Sequence, residues 1–373
     1  MNDVVIAYDL GTGGIKSSVV SVDGKILCSA FVSYNTYYQS GGIQEQAPED
    51  WWNALVESTH KLLSYDMILP EDIKAVAISG HSLGVVPIGT DGSLLREKTP
   101  IWSDMRAVNE ADEFFSRVDY RSWYEETGNG FPAACYSLFK IMWYKHNEPE
   151  IYNKIDKVIG TKDYCNYRFT GRLCTDYSYA SGCGAFSLHK WDYVEEYMAA
   201  AGISRNIFPE IIPSDAVVGD ITSEASRETG IPVGVKVICG GVDNSCMALG
   251  AKGTVNGRVY TSLGSSAWIA LVSDKPVIDF KYKPYVFAHV IRGMYASATC
   301  IFSAGLSLQW VRKTFCQDLI EKEKTGEVDS FQEINKLVEM SAPGANGVLF
   351  NPSMAGGSMM EPIPNMTGAF TGL

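Results

Sequence analysis

An α/β fold divided into two domains is the class the sequence predicts, and three observations predict it. β-Branched runs at 4–8, 17–22, 73–79, 235–239 and 257–263 alternate with helix-period segments such as 48–65 and 161–170. A glycine-rich turn after the first apolar strand is echoed by a small-residue turn after Leu263. With 373 residues, 46% of them hydrophobic and only 20% charged, the chain can fill two substantial cores.

The opening hairpin is the most informative element. The strand at 4–8 runs into Asp9, Gly11, Thr12, Gly13 and Gly14, with Lys16 beyond, and the chain returns as a strand over 17–22. Glycines permit a tight turn with φ > 0 whose backbone N–H groups approach an anion. A Walker-type loop would run from strand into helix and end in Gly-Lys-Ser/Thr, and neither holds here. Asp9 is placed to hold Mg²⁺ through water, since magnesium keeps most of its hydration shell. The same residues also suit an ordinary glycine-rich hairpin at a sheet edge.

The remaining elements follow in order. A third strand is expected at 25–32, a helix at 48–65 opened by Pro48 and Glu49, and a strand at 73–79. Asp23-Gly24 and Asp91-Gly92 each read as a type I′ turn between two strands, giving at least four antiparallel segments. Residues 105–205 read as mostly helical, with helices at 106–117, 136–147, 161–170 and 192–201. Strands are expected at 235–239, 257–263, 267–272, 285–291 and 294–299, then helices at 302–316 and 329–340.

Two further motifs carry chemistry. Gly240-Gly241-Val242-Asp243-Asn244 closes the strand at 235–239 and precedes a helix, so Asp243 projects from a strand-to-helix junction. A carboxylate there can accept the proton of a hydroxyl that attacks phosphorus. It also suits a helix N-cap. Gly264, Ser265 and Ser266 form the second small-residue hairpin, and the pair of hairpins suggests two related domains facing one cleft.

Charge and cysteine usage exclude other classes. A net charge of −12 argues against nucleic acid or an anionic membrane as the main partner. No stretch has the apolar length of a membrane span, and the N-terminus enters a strand without a signal-like core. Nine scattered cysteines without a C-x-x-C pair read as buried free thiols, and the chain as cytoplasmic.

These motifs, with others in the same order, resemble the FGGY carbohydrate kinases, and most of all the xylulokinases. Asp9-Leu10-Gly11-Thr12 with Lys16 resembles the first phosphate loop of that family, and Pro100-Ile101-Trp102-Ser103-Asp104 with Arg106 the segment beside the sugar. Thr127-Gly128-Asn129, the run SLFKIMW at 137–143, Thr161-Lys162-Asp163-Tyr164 and Thr175-Asp176-Tyr177-Ser178 continue the match. Gly240 to Asn244 resembles the catalytic segment, and Ser262 to Ser266 the second phosphate loop.

The resemblance implies an actin-like ATPase (ribonuclease H-like) fold, with a sugar-binding domain over 1–250 and the start of a nucleotide-binding domain over 251–373. It implies ATP and Mg²⁺, a small sugar and, as in relatives, a homodimer. Asp243 would be the general base, and Asp9 the metal-positioning carboxylate. Gly11, Thr12, Gly13, Lys16, Gly264, Ser265 and Ser266 would face phosphate, and His81, Ser82, Trp102, Asp104 and Asn244 the sugar. Two departures stand out. Where xylulokinases carry Gln-Met-His-Gly, this chain has His81-Ser82-Leu83-Gly84, so the family's sugar-contacting His falls on Leu83. The sequence also stops where the family's second signature opens, which implies an incomplete nucleotide side and a strand at 347–352 without its partners. A ketose kinase is therefore expected, with a gluconate or polyol kinase, a chaperone- or filament-type ATPase and a non-catalytic sugar-binding module as alternatives.

Overall fold

A computed structural model describes residues 3–130, 132–264, 266–301, 303–354 and 366–373. The chain forms two compact units. One holds the chain through Arg258 with Val272–Ile278 and Tyr285–Ser297, and the other holds Val259–Leu271, Asp279–Pro284 and Ala298–Leu373.

The first unit is organised by a six-stranded sheet. Its strands are β1 (Val4–Gly11), β2 (Gly14–Ser21), β3 (Ile26–Ser33), β4 (Ile73–Gly80), β5 (Val217–Asp220) and β6 (Lys236–Val242), in the order β5-β6-β4-β1-β2-β3. β1, β4 and β6 run parallel, while β2, β3 and β5 are antiparallel to their neighbours. Period-2 alternation sets the faces: Val4, Ile6, Tyr8 and Leu10 are buried, whereas Asp9 is exposed. Helix α1 (Pro48–Leu63) is opened by Pro48 with Glu49 and Asp50 in its first turn, and closed by His60 and Lys61, the polarity that suits its dipole. Its buried face brings Trp51, Trp52, Leu55 and Leu62 to the core. Small hydroxyls complete the contact: Tyr8 and Thr59 meet at 2.7 Å, Ser17 and Ser58 at 2.6 Å. Helix α2 (Thr161–Thr170) contributes Tyr164, Cys165 and Phe169 to the same core.

β6 carries a bulge. Between Ile238 and Gly241 it advances three residues while β4 advances two, from Ala77 to Ser79. Gly240 absorbs the surplus at φ 70, and a Cβ there would lie 1.8 Å from the Ile78 carbonyl oxygen. The strand then passes into helix α3 (Asp243–Gly250).

Several expectations are corrected. In both Asp-Gly turns only the glycine is left-handed, φ 85 at Gly24 and 82 at Gly92, whereas a type I′ turn needs both central residues there. The second turn joins Val86–Gly89 to a single bridge, Ile88 with Leu94, and no second strand forms. In the opening hairpin Gly11 pairs with Gly14 around Thr12 and Gly13, and the unusual φ, 154, falls on Gly14. A helix at Tyr120–Thr127, capped by the Asp119 side chain, was not foreseen, nor was Gln317–Lys324.

In the second unit, helices Gly305–Phe315, Gln317–Lys324 and Ser330–Met340 accompany a strand, Leu349–Asn351. That strand does have a partner, the antiparallel Ala369–Thr371, because Phe350 and Phe370 stack at 4.6 Å beside Trp310. All nine cysteines are free thiols, but the expectation that all are buried is corrected: Cys28, Cys246, Cys300 and Cys316 are half-buried. Among the described residues no helix is long and apolar enough to cross a membrane.

The bulge makes a prediction. Gly240→Ala should unfold or destabilise the first unit by on the order of 3 kcal/mol or more, since both φ and space forbid a Cβ. Gly250→Ala, which meets nothing within 4 Å, should be neutral or stabilising by up to about 1 kcal/mol. Urea midpoints check both, and equal midpoints would contradict the steric argument.

Candidate active site

A cleft of about 370 Å³ opens on the exposed face of the sheet, lined by Asp9, Lys16, Ser18, Ala77, Ser79, Gly240 and Cys246 among others. Its width follows from the sequence, because alanine, serine and glycine occupy that face where larger side chains would fill it. Asp9 pairs across the ladder with Lys16 on one side and Ser79 on the other. Ser79 Oγ donates to Asp9 Oδ1 at 2.6 Å.

Asp243 follows the bulged strand directly. It is the first residue of α3 and its N-cap is Val242, so the capping alternative is corrected: Asp243 Oδ1 accepts from the next amide, Asn244 N–H, at 2.7 Å, and not from an amide further into the helix among the described residues. Burial pushes its carboxyl up to about 7, the Asn244 bond opposes this, and the Asp9 carboxylate adds to it. Asn244 lies beside it, half-buried.

The residues expected at the sugar occupy distinct settings. Trp102 is 41% exposed, against a core role, and its indole Nε1 donates to Thr12 Oγ1 at 2.9 Å, on the first hairpin. Asp104 is fully buried and engaged by Arg106, whose Nε donates to Oδ1 at 2.9 Å and Nη2 to Oδ2 at 2.8 Å, and by the Gln44 amide at 2.7 Å. Ser103 Oγ donates to Gln44 Oε1. His81 is buried against the edge of Trp51, and burial lowers its ring pKa to about 4, so it is neutral near pH 7. Ser82 is buried beside it. Leu83 adopts φ 61, rare for a residue with a Cβ, and its carbonyl accepts from the fully buried Lys140 Nζ at 3.1 Å. Burial drops Lys140 to about 8. Gly264 and Ser266 are exposed on the second hairpin, and Ser265 lies outside the described residues.

Gln46 was not singled out by sequence reasoning. Its Oε1 accepts from Trp51 Nε1 at 2.9 Å and from His81 at 3.2 Å, while its Nε2 donates to the Thr12 carbonyl and to Thr36 Oγ1, each at 2.7 Å. An amide oxygen only accepts, so His81 carries its proton on Nε2, leaving Nδ1 an acceptor without a partner among the described residues. One side chain thus ties the phosphate-type hairpin to the His81 strand end. No local signal marks it, since in the short strand Ile43–Gln46 three consecutive polar residues, Gln44, Glu45 and Gln46, carry equal standing. Ser79 was legible only once two parallel strands were laid side by side.

Residues 4–250 match the FGGY family of carbohydrate kinases, N-terminal domain. The chain is 28% identical over 369 residues to the xylulose kinase of Bacillus subtilis, covering 99% of this chain and 71% of that one. It is 26% identical over 373 residues to a gluconokinase of Bacillus licheniformis, covering 100% and 72%. Among solved structures, xylulose kinase from Rhodospirillum rubrum superposes with a TM-score of 0.87 at 26% identity, covering 99% of this chain and 73% of that one. The chain belongs to the FGGY family of carbohydrate kinases and has their actin-like fold, so the chaperone- or filament-type ATPase reading gives way.

Gln46→Ala should leave the Trp51 and His81 N–H groups buried without an acceptor, costing on the order of 3 kcal/mol. A denaturant midpoint equal to that of the unaltered chain would contradict this role for Gln46.

Proposed function

We propose that the chain transfers the γ-phosphoryl group of ATP to a hydroxyl of a ketose of the xylulose kind, with Asp243 as general base. The observation that carries the reading is a carboxylate held at the end of a bulged strand, with burial raising it to about 7. A base titrating near the working pH combines adequate ionisation with adequate basicity. The sugar oxygen attacks the γ-phosphorus, its proton passes to Asp243 Oδ2, and the bond to the bridging oxygen breaks to release ADP. Asn244 N–H on Oδ1 fixes the carboxylate plane and leaves Oδ2 for the substrate.

The other residues bind and orient. Gly11, Thr12 and Gly13 offer backbone N–H groups and Lys16 a cation to phosphate oxygens, and Gly264, Ser265 and Ser266 have the same role on the second hairpin. Asp9 fits a Mg²⁺ ion held through water, since it is exposed, has one oxygen taken by Ser79, and stands in a site without three clustered ligands among the described residues. The ion would supply neutralisation of phosphate charge there. The resemblance assigns His81, Ser82, Trp102, Asp104 and Asn244 to the sugar side, with half-exposed Trp102 offering a ring face and buried Asp104 acting by holding its loop through Arg106. The nine free thiols fit a reducing, cytoplasmic setting. An aldonate is the second substrate class, favoured by the gluconokinase relatives.

ADP release with Mg-ATP across ketoses, aldonates and polyols tests the function. Sugar-dependent release is expected, largest with a ketose. Sugar binding without release would favour a binding module. Asp243→Asn should lower kcat about 10³-fold. The carboxyl is protonated below its raised pKa and cannot then accept a proton, so kcat should fall tenfold per pH unit below about 7. A profile flat from acid to neutral pH would contradict the base assignment. The same raised pKa means that the folded state holds a proton the unfolded chain releases, so this group's contribution to stability is greatest in acid and declines as pH rises through about 7. Asp243→Asn should therefore raise the melting temperature above pH 7.

A further inference from the structure

The motif Thr175-Asp176-Tyr177-Ser178 takes no part in the chemistry above, yet it lies against the catalytic strand. Lys162, Asp176 and Ser178 are all fully buried. Lys162 Nζ reaches Asp163 Oδ1 at 2.5 Å, Asp176 Oδ1 at 3.1 Å and the Cys239 carbonyl at 3.2 Å. Asp176 Oδ2 accepts from the Ser178 hydroxyl at 2.5 Å and the Ser214 hydroxyl at 2.7 Å. Ser178 Oγ in turn accepts the Val242 N–H at 2.9 Å. The Asn166 amide adds a bond to the Cys239 carbonyl at 2.8 Å, and the Ser214 carbonyl takes the Gly240 N–H at 2.9 Å.

These bonds fall on the bulge. Cys239 and Gly240 are the residues the register shift leaves out of the ladder, Gly241 and Val242 resume it opposite Ser79 and Gly80, and Asp243 is the next one along. Gly241 closes the arrangement sterically, since a Cβ on it would meet Ser178 Oγ at 2.9 Å and Val290 Cγ1 at 2.4 Å. The hydroxyl of Ser178 is oriented by donating to Asp176, which leaves its lone pair for Val242. Asp176 is oriented by Lys162, so the chain of contacts runs from a buried cation to the amide beside the base.

We propose that Ser178 and Asp176, backed by Lys162, are positioning residues that fix the direction in which Asp243 leaves the bulged strand. The proposal rests on the general-base reading of Asp243. None of the three touches the reacting atoms; they act through the Val242 peptide. Ser214 provides the control, since its hydroxyl binds the same Asp176 oxygen but reaches no amide of β6 in the described structure.

The test compares Ser178→Ala with Ser214→Ala, beside Asp243→Asn. Each serine variant removes one hydroxyl from the same buried carboxylate, and Ser178→Ala also leaves the Val242 N–H without its acceptor, so a purely structural cluster predicts a larger loss of melting temperature in Ser178→Ala but similar kcat wherever both variants are folded. We expect the larger melting loss and, at a temperature where both variants are folded, a kcat at least tenfold lower in Ser178→Ala, with KM for sugar and ATP within twofold and the acid limb of the pH profile displaced. Ser214→Ala should keep kcat within threefold. The carboxyl ¹³C titration of Asp243, assigned by its loss in Asp243→Asn, gives a readout without turnover: it should move by half a pH unit or more in Ser178→Ala alone. Equal kcat in the two serine variants, or an unmoved Asp243 titration, would overturn the positioning role. Full activity in Asp243→Asn would instead overturn the general-base reading, whatever the serine variants do.

Discussion

The extra residue that β6 carries at Gly240 leaves Cys239 and Gly240 out of the sheet ladder, where buried Lys162 takes the Cys239 carbonyl and the Ser214 carbonyl takes the Gly240 N–H, while Ser178 takes the Val242 N–H just beyond. Without the bulge, period-2 geometry would turn each following side chain to the other face of the sheet. The strand could still form, but the carboxylate at its end would point elsewhere. Gly240 makes the bulge sterically possible, and the Lys162–Asp176 network supplies a buried donor to the Cys239 carbonyl within it.

Such a network is costly to build. Removing an ammonium and two carboxylates from water costs several kcal/mol per ion, offset only by close pairing and saturated hydrogen bonding. Burial opposes the charge on Lys162, yet Asp163 and Asp176 hold its ammonium well above the usual lysine range. Asp104 follows the same rule elsewhere in the first unit, buried but matched by the Arg106 guanidinium, which also binds Glu45 Oε1 at 2.8 Å. Both clusters specify the backbone. Asp243 differs from them in that no cation is paired with it among the described residues, and burial with the nearby Asp9 carboxylate raises its carboxyl to about 7.

Local signals explain what was legible in the sequence. The alternation in β1, Pro48 at the start of α1, and the glycines of the opening turn each encode their element within a few residues, and the strands at 4–8 and 73–79 and the helix at 161–170 emerge close to where they were expected. Asp9, Lys16 and Asp243 were visible as chemistry placed at strand ends. The rest depends on contacts between distant segments. Gln46 acquires its role from Thr12, Trp51 and His81, which no spacing rule links. The turn at Asp23-Gly24 was misread because the flanking register decides between a type I turn with a left-handed glycine and a type I′ turn. The strand at Leu349–Asn351 found its partner through aromatic stacking of Phe350 on Phe370, a pairing that hydropathy alone does not predict.

The claim at the centre is that the fold delivers a single carboxylate, half withdrawn from water, at the end of a bulged strand. Direct titration of the Asp243 carboxyl in the unaltered chain by ¹³C NMR measures this without any assumption about substrate. A midpoint near 7 is predicted. A midpoint at about 4, the value of a carboxyl in free solution, would contradict the account.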